Sequence, residues 1–254
     1  MEEVNLAKVQ SLKAQPIPDF PKAKLVERID ITQDLMIIRL KPELEPFKFK
    51  AGQYCTLGLD SIERAYSIVS APHELVVEIF VELLPDGELT PLMWKMELGD
   101  YISIRPRAKG LFTMDQRVHH HFMVATVTGV APCVSMIRNC VMEGAPGHKI
   151  YVLEGASYQD ELTYDKELAS FAARHPHLLE FIPTVSRPNE ERNSGWRGAK
   201  GRVNNIVEEY MELFDLPQED TLIYACGHPG MIEDVKAKVV PEGWMFKEER
   251  FWKQ

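Results

Sequence analysis

Apolar and polar positions change rhythm once along this chain. In the first half the apolar positions come as short runs broken by turn residues. Lys24–Ile31 and Met36–Leu40 read as two strands joined by Thr32-Gln33-Asp34, a hairpin signal. Phe47-Lys48-Phe49-Lys50 leads through Ala51-Gly52-Gln53-Tyr54 into a strand ending at Leu59. Arg64-Ala65-Tyr66-Ser67-Ile68-Val69-Ser70 reads as the next strand, with Tyr, Ile and Val suited to a pleated, half-buried surface. Glu74–Leu84 is a longer β run closed by Pro85-Asp86-Gly87, and Tyr101–Ile104 follows the turn pair Gly99-Asp100. Only Thr90–Met96 has helical character. Short strands with few helices predict an antiparallel β-barrel.

The pattern turns over near residue 118. Phe122–Val127 is a continuous apolar run, as in a strand buried on both faces. Cys133–Glu143 carries Val134, Ile137 and Val141 at helical spacing. Lys149–Glu154, Leu179–Val185 and Thr221–Cys226 read as further strands. Leu162–Arg174, Val203–Tyr210 and Pro229–Val239 read as helices, with Met211, Leu213 and Phe214 as core positions. Alternating strands and helices predict an α/β domain with a parallel sheet covered on both faces. Two domains follow: residues 1–117 and residues 118–254, with the change at Asp115–His121. Residues 1–22, with Pro16, Pro18 and Pro21, read as an irregular lead-in, and Phe246–Trp252 as a last strand or extended tail.

Composition narrows the function. The 254 residues carry 29 basic and 38 acidic side chains, a net charge of -9. That balance excludes a general nucleic-acid binder, which needs a basic surface. The four cysteines, Cys55, Cys133, Cys140 and Cys226, form no C-x-x-C pair, so no zinc or iron–sulfur spacing is present and no metal is expected. Scattered thiols imply a reducing, cytoplasmic setting. The acidic start Met1-Glu2-Glu3-Val4 is unlike a signal peptide, and no apolar run is long enough to span a bilayer. His119-His120-His121 reads as a charged entry to the buried strand, since adjacent strand residues cannot converge on one ion.

Several stretches have chemical character. In a strand Arg64 and Tyr66 share a face: a permanent cation beside a flat amphipathic ring. That pair suits a nucleotide cofactor with an aromatic head, and Ser67 adds a hydroxyl. Gly87 opens a turn and Thr90 is placed to cap the short helix after it. Thr126-Val127-Thr128-Gly129-Val130-Ala131-Pro132 and Cys226-Gly227-His228-Pro229-Gly230-Met231 are both strand–turn–helix junctions, where parallel sheets bind ligands. Each stretch alone also fits an ordinary turn, cap or strand.

Arg64-x-Tyr66-Ser67, Gly87-x-Leu89-Thr90, Thr128-Gly129-x-Ala131-Pro132, Cys226-Gly227-x-Pro229-x-Met231 and an aromatic C-terminus occur in one order. This set resembles the ferredoxin–NADP reductase family in its bacterial branch, over roughly residues 20–254. The resemblance implies an antiparallel FAD-binding barrel followed by a parallel-sheet NADP-binding α/β domain. It implies that Arg64 holds the FAD diphosphate, that Ala65 and Tyr66 lie at the isoalloxazine, and that Ser67 hydrogen-bonds near its N5. Gly87, Leu89 and Thr90 serve the same diphosphate. Thr128, Gly129 and Pro132 shape the pyridine-nucleotide pocket, and Cys226 and Gly227 line the nicotinamide site. Phe251 or Trp252 covers the flavin or its adenine, and Glu249 brings a carboxylate near it. Ser67, Cys226 and Glu249 are then the catalytic set.

The resemblance also implies NADPH as reductant, because Arg187 and Arg202 match arginines that grip the 2′-phosphate, while Ser157 replaces a third. Bidentate guanidinium–phosphate pairing is the reason for arginine there. Val127 stands where the family loop has glycine, a departure expected to crowd the nucleotide. The implied activity is FAD-dependent exchange between NADPH and ferredoxin or flavodoxin, by a monomer. Lys48, Lys50, Arg105, Arg107 and Lys109 are the candidate basic rim for an acidic partner. The alternatives are an NADH-linked flavin or cytochrome reductase of the same superfamily, an electron-transfer subunit of a larger complex, and a flavin-free binding module.

Overall fold

The computed structural model describes residues 20–250. The expected lead-in before residue 20 and the tail aromatics Phe251 and Trp252 lie outside the described residues.

The first half is an antiparallel six-stranded sheet. β1 (Lys22–Asp30) and β2 (Leu35–Pro42) form the expected hairpin, with a bulge between Leu25 and Glu27. β3 (Tyr54–Leu59) and β4 (Ile62–Ser67) form a second hairpin. β5 (Val77–Glu82) pairs with β2, and β6 (Tyr101–Ile104) lies between β1 and β3. The order is β4-β3-β6-β1-β2-β5, and a bridge from Ile68 to Ile79 closes the two edges. Strand alternation explains the filling. Met36, Ile38 and Leu40 of β2 point inward with Leu57, Ile79, Val81 and Ile102. Leu35 and Ile37 point outward, yet they are also buried, under the second half.

α1 covers only Thr90–Met93, shorter than expected, and Thr90 does not cap it. Leu89 holds the N-cap position, and Pro91 fits the first turn. The Thr90 hydroxyl instead turns back to Leu84, accepting from its N–H at 3.0 Å and donating to its carbonyl at 3.2 Å. It closes the Pro85-Asp86-Gly87 loop rather than starting the helix.

The second half is a six-stranded parallel sheet. Its strands are β7 (His120–Thr126), β8 (Lys149–Ala156), β9 (Leu179–Val185), β10 (Ala199–Lys200), β11 (Thr221–Cys226) and β12 (Met245–Glu249). The order β10-β9-β8-β7-β11-β12 reverses direction at β7. α2 (Ala131–Glu143), α3 (Asp165–Arg174), α4 (Val207–Leu213) and α5 (Pro229–Val239) cover the faces. Three expectations shift here. α3 and α4 start later than their apolar spacing suggested, because Gln159–Glu161 and Val203–Asn205 form tighter 3-10 turns first. Leu213 is exposed rather than core. His121 is not a charged entry: it is buried, with Nδ1 3.1 Å from the Tyr224 hydroxyl and Nε2 3.0 Å from His148 Nδ1. Burial pushes its imidazole down to about 3, so it stays neutral.

Each half has an apolar cluster of its own, and a further cluster bridges the two. Leu35, Ile37, Val69, Phe80 and Phe112 from the first half pack with Met123, Val130, Val134 and Ile137 from the second. A polar network crosses the same boundary. Glu78, 1% exposed, meets Arg39 at 2.6 Å, Arg138 at 3.2 Å and the Tyr164 hydroxyl at 3.0 Å. Arg138 continues to Glu167 at 2.7 Å, and the Ser135 hydroxyl donates to the Ser70 carbonyl at 2.7 Å.

Candidate functional site

Two adjoining cavities lie where the halves meet. The first, about 450 Å³, is lined by Arg64, Ala65, Tyr66 and Ser67 of β4, with Phe80, Gly87, Leu89 and Thr90 around them. β4 brings all four of its motif residues to one wall. Ser67 is only 5% exposed, and its Oγ has no hydrogen-bond partner among the described residues. A buried hydroxyl without a partner costs free energy on the order of 1–3 kcal/mol, so its position asks for an acceptor or donor in the cavity. Tyr66 is partly buried, and burial pushes its phenol well above the usual range. Arg64 stands at the rim, where its guanidinium pairs with Glu88 and donates to the Glu63 carbonyl at 2.8 Å.

The second cavity, about 880 Å³, opens beyond the carboxyl ends of β7, β8 and β11. This is the point where strand order reverses, the usual ligand crevice of such sheets. Thr126, Val127 and Thr128 line it from one loop, and Gly227, His228 and Pro229 from the other. The loops are tied together: the Thr126 hydroxyl accepts from the His228 N–H at 2.7 Å. Gly129 is needed for this closeness, since a Cβ there would lie 2.3 Å from the Cys226 carbonyl oxygen. Its glycine serves loop-on-loop packing, not approach to the cavity. His228 caps α5 by accepting from the Gly230 N–H at 3.1 Å.

Ser157, Arg187 and Arg202 sit at the far end of the second cavity. Arg187 donates to the Tyr158 hydroxyl at 2.7 Å and lies 3.8 Å from Glu190. Arg202 is exposed. Thr128 and Glu82 line both cavities, so they mark where the two contents would touch.

Not every expected residue reaches a cavity. Pro132 is buried in the first turn of α2. Cys226 is fully buried, and burial pushes its thiol well above the usual range. Glu249 is its register partner on β12, and burial pushes that carboxyl up to about 7 with Oε2 unpartnered. Cys226 is buried and Glu249 half-buried, and neither is in the wall of either cavity. Sequence reasoning missed Glu82, Glu88, His228 and Asn204 as lining residues. Glu88 and His228 stood inside motifs as unassigned positions; nothing marked Glu82 or Asn204.

Comparison with known proteins agrees with this layout. A family model described as an oxidoreductase FAD-binding domain matches residues 22–112, and one described as an oxidoreductase NAD-binding domain matches residues 123–237. A flavodoxin/ferredoxin–NADP reductase of Buchnera aphidicola is 28% identical over 80% of this chain and 83% of its own length. The Escherichia coli protein of that name is 29% identical over 74% and 77%. An NADH-cytochrome b5 reductase 1 of Candida glabrata is 25% identical over 92% and 84%. The crystal structure of a ferredoxin NADP+ reductase from Neisseria gonorrhoeae with bound FAD and NADP superposes with a TM-score of 0.77, at 25% identity, over 92% of this chain and 99% of that one. With a closed antiparallel sheet matched to an oxidoreductase FAD-binding domain, a parallel sheet matched to an oxidoreductase NAD-binding domain, and similar proteins that span both, this chain is a flavin oxidoreductase with the two-domain fold of the ferredoxin–NADP reductases.

Proposed function

We propose that this protein is an FAD-dependent ferredoxin (flavodoxin)–NADP reductase, with residues 1–117 as the FAD domain and residues 118–254 as the NADP domain. The observation that carries it is the unpartnered Ser67 hydroxyl in a cavity that also offers the Tyr66 ring and the Arg64 guanidinium. Those three groups fit the edge, face and diphosphate of FAD. When bound, FAD supplies the hydride acceptor and divides the electron pair into single electrons.

The chain's own residues then hold and orient. Tyr66 gives the ring a flat apolar wall, Arg64 pairs with the diphosphate, and Ser67 positions the edge that faces the second cavity. Arg202 and Arg187 receive the 2′-phosphate of NADPH, with Ser157 beside them. Thr128 sits where nicotinamide meets flavin. Cys226 and Glu249 act from behind the site: Glu249, with a carboxyl near 7, is placed to hold or release a proton at its Oε2. Lys48, Lys50, Arg107 and Lys109 are exposed and offer a basic rim to acidic ferredoxin or flavodoxin. Arg105 is half taken up by Glu63, through contacts of 2.7 and 3.0 Å. The free buried thiols suit a monomer in the cytoplasm.

A second reading is an NADH-linked reductase. It is favoured by the hold of Tyr158 and Glu190 on Arg187, which weakens the 2′-phosphate grip. Anaerobic titration with NADPH and NADH, following the flavin absorption bands, separates the two. NADPH is expected to bleach the bands at lower concentration; a preference for NADH sinks the first reading. Tyr66→Ala is expected to purify with much less flavin than wild type. Equal flavin content would remove Tyr66 from the site, and a colourless wild type that cannot be reconstituted would remove the FAD reading altogether.

A further inference from the structure

The cavity proposed for FAD is short of positive charge. Arg64 is the one Lys or Arg among its described lining residues, and Glu82 and Glu88 line it too. Glu82 has further carboxylates behind it, Asp34 and Glu161, which with burial push its own carboxyl up. Glu88 is paired directly with the Arg64 guanidinium. A second nitrogen of that guanidinium already donates to the Glu63 carbonyl at 2.8 Å. Arginine offers a planar fork that binds either a carboxylate or a phosphate face-on. The fork has little room for both. The Arg64 and Glu88 side chains are 52% and 65% exposed, so water reaches the pair and opening it is cheap.

Resting on the assignment of this cavity to FAD, we propose that Glu88 competes with the FAD diphosphate for Arg64, so that this one carboxylate sets how tightly the chain holds its flavin. Entry of the diphosphate exchanges one anion for another on the same guanidinium, and the displaced carboxylate stays nearby as a like charge. Both effects weaken binding.

The test is FAD titration of flavin-depleted protein, followed by quenching of flavin fluorescence, for wild type, Glu88→Gln, Arg64→Ala and the double variant. Glu88→Gln is expected to tighten FAD binding about threefold, the order of an exposed ion pair that no longer has to be opened. In the Arg64→Ala background the same change is expected to give under twofold, because there is no guanidinium left to compete for. Equal affinity of Glu88→Gln and wild type overturns the proposal. So does weaker binding, which would make Glu88 a support that holds Arg64 in place. An equal gain with and without Arg64 also overturns it, leaving general repulsion. Both side chains are exposed, so folding is preserved, and Glu88→Asp as a second variant checks that the effect follows charge rather than shape. Failure of wild type to bind FAD is a distinct result that removes the site assignment and this proposal with it.

Discussion

At the scale of single residues, Val127 has the least expected geometry. Its φ is +44°, in the left-handed region, between Thr126 and Thr128 in the wall of the second cavity. A β-branched side chain pays about 1–2 kcal/mol for that conformation. The family resemblance set valine at a glycine position, with crowding of the nucleotide as the expected result. Val127 lines that cavity, and its backbone also holds a torsion that glycine supplies freely. Val127→Gly relieves that strain but loses apolar packing and adds glycine's entropy, about 0.5–1 kcal/mol. Stability in urea is therefore expected to change by less than about 1 kcal/mol, while pyridine-nucleotide binding tightens by calorimetry. A large loss of stability would mean that packing, not torsion, fixes this loop. Torsions of this kind were not legible, because residue type argues against them. Arg64, Tyr66 and Ser67 were legible as neighbours, since a strand puts them on one wall; the unpartnered state of Ser67 was not.

At the scale of elements, β8 carries the clearest anomaly. It reads as an apolar strand ending in Glu154, where a solvated carboxylate is the natural expectation. Glu154 is fully buried, near Cys133 of α2 and Asp165 of α3, and neither of its oxygens has a partner among the described residues. Burial pushes its carboxyl up to about 8, from 4.5 in an unfolded chain. Between those values the folded chain keeps a proton that the unfolded chain has lost. Stability must then fall as pH rises from about 4.5 to about 8, and level off above. Glu154→Gln keeps the shape and removes the titration. Its melting temperature is expected to exceed that of wild type at pH 8 and to match it near pH 5; parallel curves for the two proteins would refute this. Most elements were legible because burial on one or both faces imprints period two or an unbroken apolar run. The misses have local causes. β10 is two residues long and has no pattern, and Thr90 spends its hydroxyl on Leu84.

For the whole molecule, Glu78 is the polar centre. It lies on β5, yet its partners Arg138 and Tyr164 come from the parallel half. Glu78→Ala leaves Arg39 with Glu27 and Arg138 with Glu167 and Glu74, so the cost stays below that of a stranded buried charge, at about 1–3 kcal/mol for the lost buried contacts. The urea midpoint is expected to drop accordingly, in a single transition seen alike by fluorescence and circular dichroism. Two separate transitions would show that the halves unfold independently. The change of rhythm near residue 118 revealed two sheets, but not their union. Leu35 and Ile37 looked like ordinary outward strand positions, and only the structure shows α2 lying over them.

That union restricts how the enzyme can move. An apolar cluster that bridges the two halves works against a hinge between them, so the two cavities hold their spacing, like two slips cut into the same quay. Timing by the halves opening and closing would have to break that cluster. Traffic between the cavities falls to single side chains at the junction, Thr128 and Glu82 first among them.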